Sequence, residues 1–156
     1  MTSYVAVCGA GMAAARPADL HAAEEVGRQV AEAGGIVVCG GLGGVMEAAC
    51  RGARSADGIT VGLLPGADRG DANPFVSVAI PTGIGELRNG LVVRAADVVI
   101  AIGGEWGTLS EIALAMKTGT PVVGIDTWDL GRAGIEVAAD ADAAVKRALA
   151  LALHSH

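Results

Sequence analysis

A glycine-rich segment at residues 101–111, AIGGEWGTLSE, has the composition of a phosphate-binding loop with a carboxylate beside it. It follows an apolar run and places Thr108 and Glu111 in the first turns of a predicted helix. Glycines let the backbone approach a ligand, and the free N–H groups and dipole of a helix start favour phosphate. We therefore predict an anion site with Glu111 as a candidate acid or base. The candidate binding residues of this loop are Gly103, Gly104, Gly107 and Thr108.

A second glycine-rich segment, GGLGGVME at residues 40–47, also follows an apolar run. Two such loops in one small chain indicate a ligand of nucleotide size. Met46 is interpreted as a pocket wall or a core side chain. Glu47 is either a site residue or a carboxylate that complements the helix dipole. The candidate binding glycines of this loop are Gly40, Gly41 and Gly44.

The elements that must position these loops follow from an alternation of Val- and Ile-rich runs with Ala-rich segments. This pattern is typical of strands that crossover helices bury on both faces. We predict one Rossmann-like α/β domain over residues 1–156, with a doubly wound, mainly parallel sheet of six to seven strands and helices on both faces. The predicted strands are 4–8, 36–39, 59–64, 76–80, 97–102 and 121–125, with a weaker seventh at 135–137. The predicted helices are 17–33, 44–55, 85–95, 107–118 and 140–153, with Asp140 as the N-cap of the last.

Ligands of such sheets bind outside the carboxyl ends of the strands, where the strand order switches. Five loops rich in small residues fall at those ends in the predicted fold, including the two glycine-rich segments. The polar loop at residues 65–74 is interpreted either as a lid over this edge or as an ordinary solvated connection. The further candidate binding residues at this edge are Gly9, Gly11, Thr82 and Gly83.

Two common nucleotide-binding motifs are incomplete. The sequence Gly9-Ala10-Gly11 begins the dinucleotide fingerprint, but Ala14 stands at its third glycine position. No acidic residue ends the second predicted strand, where a ribose-binding carboxylate belongs. Since GK[ST] is also absent, neither NAD binding nor a Walker A loop is predicted.

Composition excludes several classes of protein. The formal net charge is −6 and the chain has two lysines, Lys117 and Lys146, so a general nucleic-acid binder is not expected. No apolar run approaches the roughly 20 residues that a membrane span needs. The three cysteines show no CxxC spacing, which argues against zinc and disulfides. We therefore expect a cytoplasmic protein without a membrane partner, a bound metal or a required cofactor.

Three motifs resemble, in order and spacing, the Lonely Guy (LOG) superfamily: GGLGGVME at 40–47, TGIGELRN at 82–89 and GGEWGTLSE at 103–111. The similarity spans about residues 4–126. It implies a Rossmann-like fold, a homodimer or homotetramer, and cleavage of the N-glycosidic bond of a nucleoside 5′-monophosphate to free base and ribose 5-phosphate. The family signature PGGxGTxxE falls on residues 102–111, and the essential Arg of the family's RK pair falls on Arg88.

Two positions depart from the family pattern. Ile102 replaces the signature Pro, and Asn89 replaces the Lys that follows the Arg. The RN form is similar to a branch that contains the molybdenum cofactor carrier proteins, which bind a pterin monophosphate without turnover. The resemblance thus leaves two functions open, a phosphoribohydrolase and a non-catalytic carrier or sensor of a phosphorylated ligand.

The proposed chemistry fits the residue types. Glycosidic cleavage needs a carboxylate near the ribose C1′ atom and a clamp on the 5′-phosphate. Glu111 suits the first role, and we expect the charge of Arg88 to keep it ionised. Thr108 and Glu111 also match a capping box, T-x-x-E, and Arg88 also suits a helix surface, so a structural interpretation of each remains open.

Overall fold

The computed structural model describes residues 2–131 and 134–153 and contains a seven-stranded sheet in which every strand pair is parallel. The strands are β1 (Tyr4–Gly9), β2 (Ile36–Cys39), β3 (Ile59–Leu64), β4 (Val78–Pro81), β5 (Val98–Ile102), β6 (Val122–Ile125) and β7 (Glu136–Ala138). Their order in the sheet is β4-β3-β2-β1-β5-β6-β7. The order reverses between β1 and β5, so a crevice opens there at the carboxyl ends.

Among the described residues, five α-helices cover the two faces of the sheet. They are α1 (Pro17–Glu32), α2 (Val45–Ser55), α3 (Asn89–Arg94), α4 (Trp106–Thr118) and α5 (Ala141–Ala152). Alternate residues of β1 enter different cores: Val5 and Val7 pack with α1, α2 and α5, whereas Ala6 and Cys8 pack with α3 and α4. All five residues of β5 are buried, as expected for a strand covered on both faces.

Glycines allow α1 and α2 to cross closely. A Cβ atom on Gly27 would lie 1.9 Å from the carbonyl oxygen of Ala49, and one on Gly52 would lie 1.8 Å from that of Glu24. Neither glycine could be replaced by a residue with a Cβ atom without moving a helix backbone. This contact fixes the position of α2, and therefore of the loop that precedes it.

The predicted fold class is confirmed, and most predicted elements have the predicted bounds within two residues. Asp140 caps α5 as predicted, since its Oδ1 accepts a hydrogen bond from the Ala143 N–H at 2.9 Å. The helix predicted over 85–95 is wrong as one unit. A 3₁₀ turn (Gly85–Arg88) precedes the shorter α3, and Gly85 has φ +61°, which does not continue a right-handed helix.

The loop at residues 65–74 is held to the glycine-rich loop that follows β2. It contains a 3₁₀ turn (Arg69–Asp71), and the side-chain amide of Asn73 donates a hydrogen bond to the Leu42 carbonyl at 2.9 Å.

In the part of the chain that the structure describes, no helix combines the length and the apolar character that crossing a bilayer requires.

Candidate functional site

A cavity of about 350 Å³, here called the rim cavity, lies at the carboxyl ends of β1, β2, β3 and β5. Its volume is at the small end of the range for ligand pockets. The polar groups at its wall come from elements far apart in sequence. The lining residues are Cys8, Gly9, Gly11, Leu42, Met46, Pro65, Gly85, Glu86, Arg88, Asn89, Glu105, Gly107, Thr108 and Glu111.

Eight of the sixteen sequence-predicted site residues line the rim cavity, and the other eight do not. Gly41 and Gly44 pack against neighbouring backbone or side chains, and the Thr82 hydroxyl donates to the Leu64 carbonyl at 2.6 Å. Gly103 and Gly104 line a separate cavity beside Asp126 and Trp128. Gly40, Glu47 and Gly83 are also outside the lining of the rim cavity. The eight that line it are Gly9, Gly11, Met46, Arg88, Asn89, Gly107, Thr108 and Glu111.

Arg88 brings a buried positive charge to the cavity wall. Its residue is 8% exposed, and Nη2 donates a hydrogen bond to the Gly40 carbonyl at 3.3 Å. A Cβ atom on Gly40 would lie 2.6 Å from that Nη2, so the glycine is what lets the guanidinium lie against the end of β2. Among the described residues, Arg88 Nε has no hydrogen-bond partner and no ion pair includes Arg88. A buried guanidinium with an unpaired N–H group and no ion pair suits an anionic ligand.

Asn89 connects Arg88 to the start of α4. Its Oδ1 accepts a hydrogen bond from Arg88 Nη1, and its Nδ2 donates to Ser110 Oγ at 3.0 Å. The Ser110 hydroxyl in turn donates to the Gly107 carbonyl at 2.7 Å. A lysine at position 89 could not accept from the guanidinium. The chain thus uses its departure from the RK pair to orient Arg88.

Thr108 supplies a second polar atom without a partner. The residue is 2% exposed, and its Oγ1 forms no hydrogen bond with any described residue. It is the third residue of α4, whose N-cap is Glu105 and has no side-chain hydrogen bond. Because a capping box requires Thr108 at the N-cap, that interpretation of the T-x-x-E pattern is wrong. The N-terminal N–H groups of α4 therefore lack a capping side chain at the cavity.

Glu111 is a buried carboxyl group beside Cys8 and Arg88. Burial raises its pKa to about 7, although a hydrogen bond with Cys8 and the positive charge of Arg88 both act to lower it. The expectation that Arg88 keeps Glu111 ionised is therefore wrong as stated, because desolvation outweighs the charge. Burial, and next the charge of Glu111, raise the pKa of the Cys8 thiol above its usual range. A carboxyl group with a pKa near 7 can both give and take a proton at neutral pH.

The lining residues follow the order of the strands across the sheet edge. Gly107 and Thr108 lie after β5, Cys8 lies in β1 with Glu111 beside it, Arg88 meets the end of β2, and Pro65 follows β3. Neighbouring strands are about 4.8 Å apart, so the step from β5 to β3 covers about 14 Å. That length matches an extended nucleoside monophosphate. A ligand whose phosphate lies at α4 and Arg88 would thus extend past Glu111 towards Pro65.

Sequence reasoning missed several residues of the site. Cys8 reads as an ordinary buried strand residue, and Glu86 as a surface residue of a helix. Thr127 and Trp128 stabilise the loop before α4. The Thr127 hydroxyl donates to the Gly103 carbonyl at 2.5 Å, and Trp128 Nε1 donates to the Glu105 carbonyl at 3.2 Å. Only the position of these two residues after a predicted strand could have indicated a role. Trp106 is 76% exposed and packs against Trp128 with ring centroids 5.3 Å apart, outside the cavity lining.

The SLOG cluster4 family model matches residues 2–151. An uncharacterized protein of Archaeoglobus fulgidus is 43% identical over 103 residues, which cover 66% of this chain and 68% of that protein.

Two solved structures have the same fold over nearly their whole length. The molybdenum cofactor binding protein from the phototrophic bacterium Rippkaea orientalis is 34% identical, with a TM-score of 0.91 over 97% of this chain and 98% of that one. The Moco carrier protein from Chlamydomonas reinhardtii is also 34% identical, with a TM-score of 0.90 over 99% of each chain.

Proposed function

This chain belongs to the SLOG cluster4 family, and from that premise we propose that it binds a small phosphorylated ligand in the rim cavity and carries it without turnover. The ligand class is a pterin monophosphate or a nucleoside monophosphate. The likeness to two molybdenum cofactor proteins at 34% identity supports the carrier role and makes a molybdenum cofactor the first ligand to test.

The observation that carries this proposal is the pair of buried polar atoms without partners, Arg88 Nε and Thr108 Oγ1. Leaving such atoms unpaired costs about 1 to 3 kcal/mol each, and more for a charged group. A phosphate oxygen accepts hydrogen bonds from both a guanidinium and a hydroxyl. A bound phosphate therefore offsets a cost that the apo protein carries.

The network around Asn89 favours carriage over hydrolysis. Arg88 is tied to Asn89 and to the Gly40 carbonyl, which orients the guanidinium as a fixed ligand clamp. We infer that a preset clamp suits tight binding of an intact ligand. The RN pair is also the feature that the sequence shares with the carrier branch.

The second candidate function is a phosphoribohydrolase that cleaves a nucleoside 5′-monophosphate. It is favoured by Glu111, whose pKa of about 7 suits general acid and base catalysis near the middle of the ligand. In this alternative Glu111 would handle the proton of the attacking water or of the leaving base. Arg88 would then stabilise the negative charge of the ligand.

One assay separates the two functions. The protein is incubated with the molybdenum cofactor, GMP, AMP, N6-modified AMP and a pterin monophosphate, and both bound ligand and released base are measured. A carrier returns the ligand intact after denaturation, and Arg88→Ala abolishes its retention. Base release that Glu111→Gln abolishes would instead establish the hydrolase. If the folded protein retains none of these ligands and releases no base, both functions are wrong.

A homodimer or homotetramer is part of the proposal, because the resemblance implies one. The exposed side chains of Leu87 and Leu91, at the 3₁₀ turn and α3, give an apolar surface that association would bury. Light scattering on the eluting protein measures the mass directly, and a monomer of 15.4 kDa would contradict this part of the proposal.

A further inference from the structure

We propose that Glu86 selects the head group of the ligand by accepting two adjacent N–H hydrogen bonds. The preferred head group is then a 2-amino-4-oxo heterocycle, as found in guanine and in pterins. This inference rests on the proposed function, since it assumes a phosphate at the α4 end of the rim cavity.

The rim cavity has two chemically different parts. The part at α4, with Thr108 and Arg88 Nε, holds the unpartnered donors and is suited to an anion. Another part of the lining, here called the head subsite, is formed by Leu42, Met46, Pro65, Gly85 and Glu86, and Met46 adjoins the Arg88 guanidinium beside Gly40. Three of these residues are apolar and partly buried, so they suit the faces of a planar ring.

Glu86 is the polar side chain of the head subsite. It is exposed on the 3₁₀ turn after β4, and it joins none of the ion pairs among residues 2–131 and 134–153. A carboxylate accepts but cannot donate, and its two oxygens match two parallel N–H donors. The fold makes no use of this group that the structure records, so it is available to a ligand.

The number of donors on one ring edge distinguishes the candidate head groups. Guanine and pterins present a ring N–H beside an exocyclic amino group, whereas hypoxanthine presents the ring N–H without the amino group. Adenine presents an amino group beside an unprotonated ring nitrogen, which repels a carboxylate. The expected order of affinity is therefore GMP, then IMP, then AMP.

Glu105 offers a matched control. It is also an exposed carboxylate that lines the rim cavity, but it lies at the N-cap of α4, at the phosphate end. Glu86→Gln and Glu105→Gln remove the same charge from the same cavity. A general electrostatic effect changes both variants alike, whereas head-group recognition changes only Glu86→Gln.

The test is calorimetric titration of the wild type and both variants with GMP, IMP, AMP and neopterin monophosphate, and with ribose 5-phosphate as a ligand without a head group. We expect the wild type to bind GMP about tenfold more tightly than IMP, since one charge-assisted hydrogen bond separates them. Glu86→Gln should reduce that ratio to about one, and Glu105→Gln should keep it. Guanine and pterins share the same pair of N–H donors. The relative affinity of GMP and neopterin monophosphate therefore shows which of the two ring systems the site prefers.

Equal affinity of the wild type for GMP, IMP and AMP would overturn the inference, and so would a ratio that survives Glu86→Gln or disappears in both variants. Ribose 5-phosphate distinguishes this failure from failure of the proposed function. If ribose 5-phosphate binds and Arg88→Ala prevents it, the phosphate site stands and only the role of Glu86 is wrong. If no phosphorylated compound binds, both are wrong.

Discussion

The two glycine-rich loops are alike in sequence and different in structure. In the loop after β2, Gly41 and Gly44 are buried with positive φ, and a Cβ atom on Gly44 would lie 2.4 Å from the Ala10 carbonyl oxygen. After β5, Gly103 and Gly104 also have positive φ, and a Cβ atom on either would lie within 3 Å of a side chain. Gly107, at the start of α4, is exposed to the rim cavity, and a Cβ atom there would meet nothing within 4 Å. Gly44 therefore serves packing, whereas Gly107 leaves the cavity accessible. A glycine pattern alone predicts a turn but does not say which glycine faces a ligand.

The largest expected effect is on folding, from Gly44→Ala. The residue has φ 71° and ψ −133°, a conformation that alanine rarely adopts, and the new Cβ would clash with backbone at Ala10 and Gly11. We expect a loss of about 4 kcal/mol in the free energy of unfolding, the sum of backbone strain and overpacking. Urea denaturation followed by circular dichroism measures it. A loss below about 1 kcal/mol would show that Gly44 tolerates a side chain as Gly107 does.

The pH dependence of stability tests the environment of Glu111, which lies in the helix that follows the second loop. Its pKa is raised from 4.5 to about 7 in the folded protein, so the native state holds a proton that the unfolded state releases between these values. Stability should therefore fall as the pH rises from about 4.5 to 7 and level off above that, by up to about 3 kcal/mol. Glu111→Gln should remove this fall. Equal pH profiles for the wild type and Glu111→Gln would contradict the raised pKa.

Arg88→Ala should remove ligand binding while the protein stays folded. The variant loses the charge that faces the phosphate, and we expect at least a hundredfold weaker affinity for GMP, about 2.7 kcal/mol. Calorimetric titration measures it, with Arg69→Ala as the control because Arg69 is an exposed arginine in the 3₁₀ turn of the 65–74 loop. Equal losses in both variants would mean that general charge, and not the buried guanidinium, attracts the ligand.

Asn89→Ala should weaken GMP binding by about tenfold, because Arg88 loses the acceptor that orients it. The effect is smaller than that of Arg88→Ala since the charge remains. Restoration of affinity by Asn89→Gln is not expected, because the longer side chain cannot keep both the Arg88 and Ser110 contacts. An unchanged affinity in Asn89→Ala would mean that the Gly40 carbonyl alone holds Arg88.

Much of the fold could be predicted from the sequence because the strands are continuous apolar runs between glycine-rich turns. The convergence of these loops at one sheet edge also followed from the parallel topology, and it brought Gly9, Met46, Arg88 and Thr108 to one cavity. The division of residues 85–94 into a 3₁₀ turn and α3 could not be predicted. This division accompanies the hydrogen bond between Arg88 and the Gly40 carbonyl, which is a tertiary contact.

The protonation of Glu111 was also beyond the sequence. The sequence offered Arg88 as a partner, and attraction by that charge predicts an ionised carboxylate. The burial that outweighs it comes from α4 packing over β1, where Cys8 forms part of the core. The two glycine patterns likewise do not show which glycines pack closely against other residues. The protonation of Glu111 and the packing of the glycines both depend on contacts between elements distant in sequence.

The smallest expected effect comes from Gly107→Ala, which should raise stability and weaken binding. It therefore contrasts sharply with Gly44→Ala. Gly107 is the second residue of α4, where alanine is the better helix former, so we expect the free energy of unfolding to rise by about 0.5 to 1 kcal/mol. The added methyl group enters the rim cavity at the N–H groups that a phosphate would contact, so GMP affinity should fall. Denaturation and titration of one sample measure both. A variant that is less stable than the wild type would mean that Gly107 serves packing, as Gly44 does, and would remove the distinction between these two glycines.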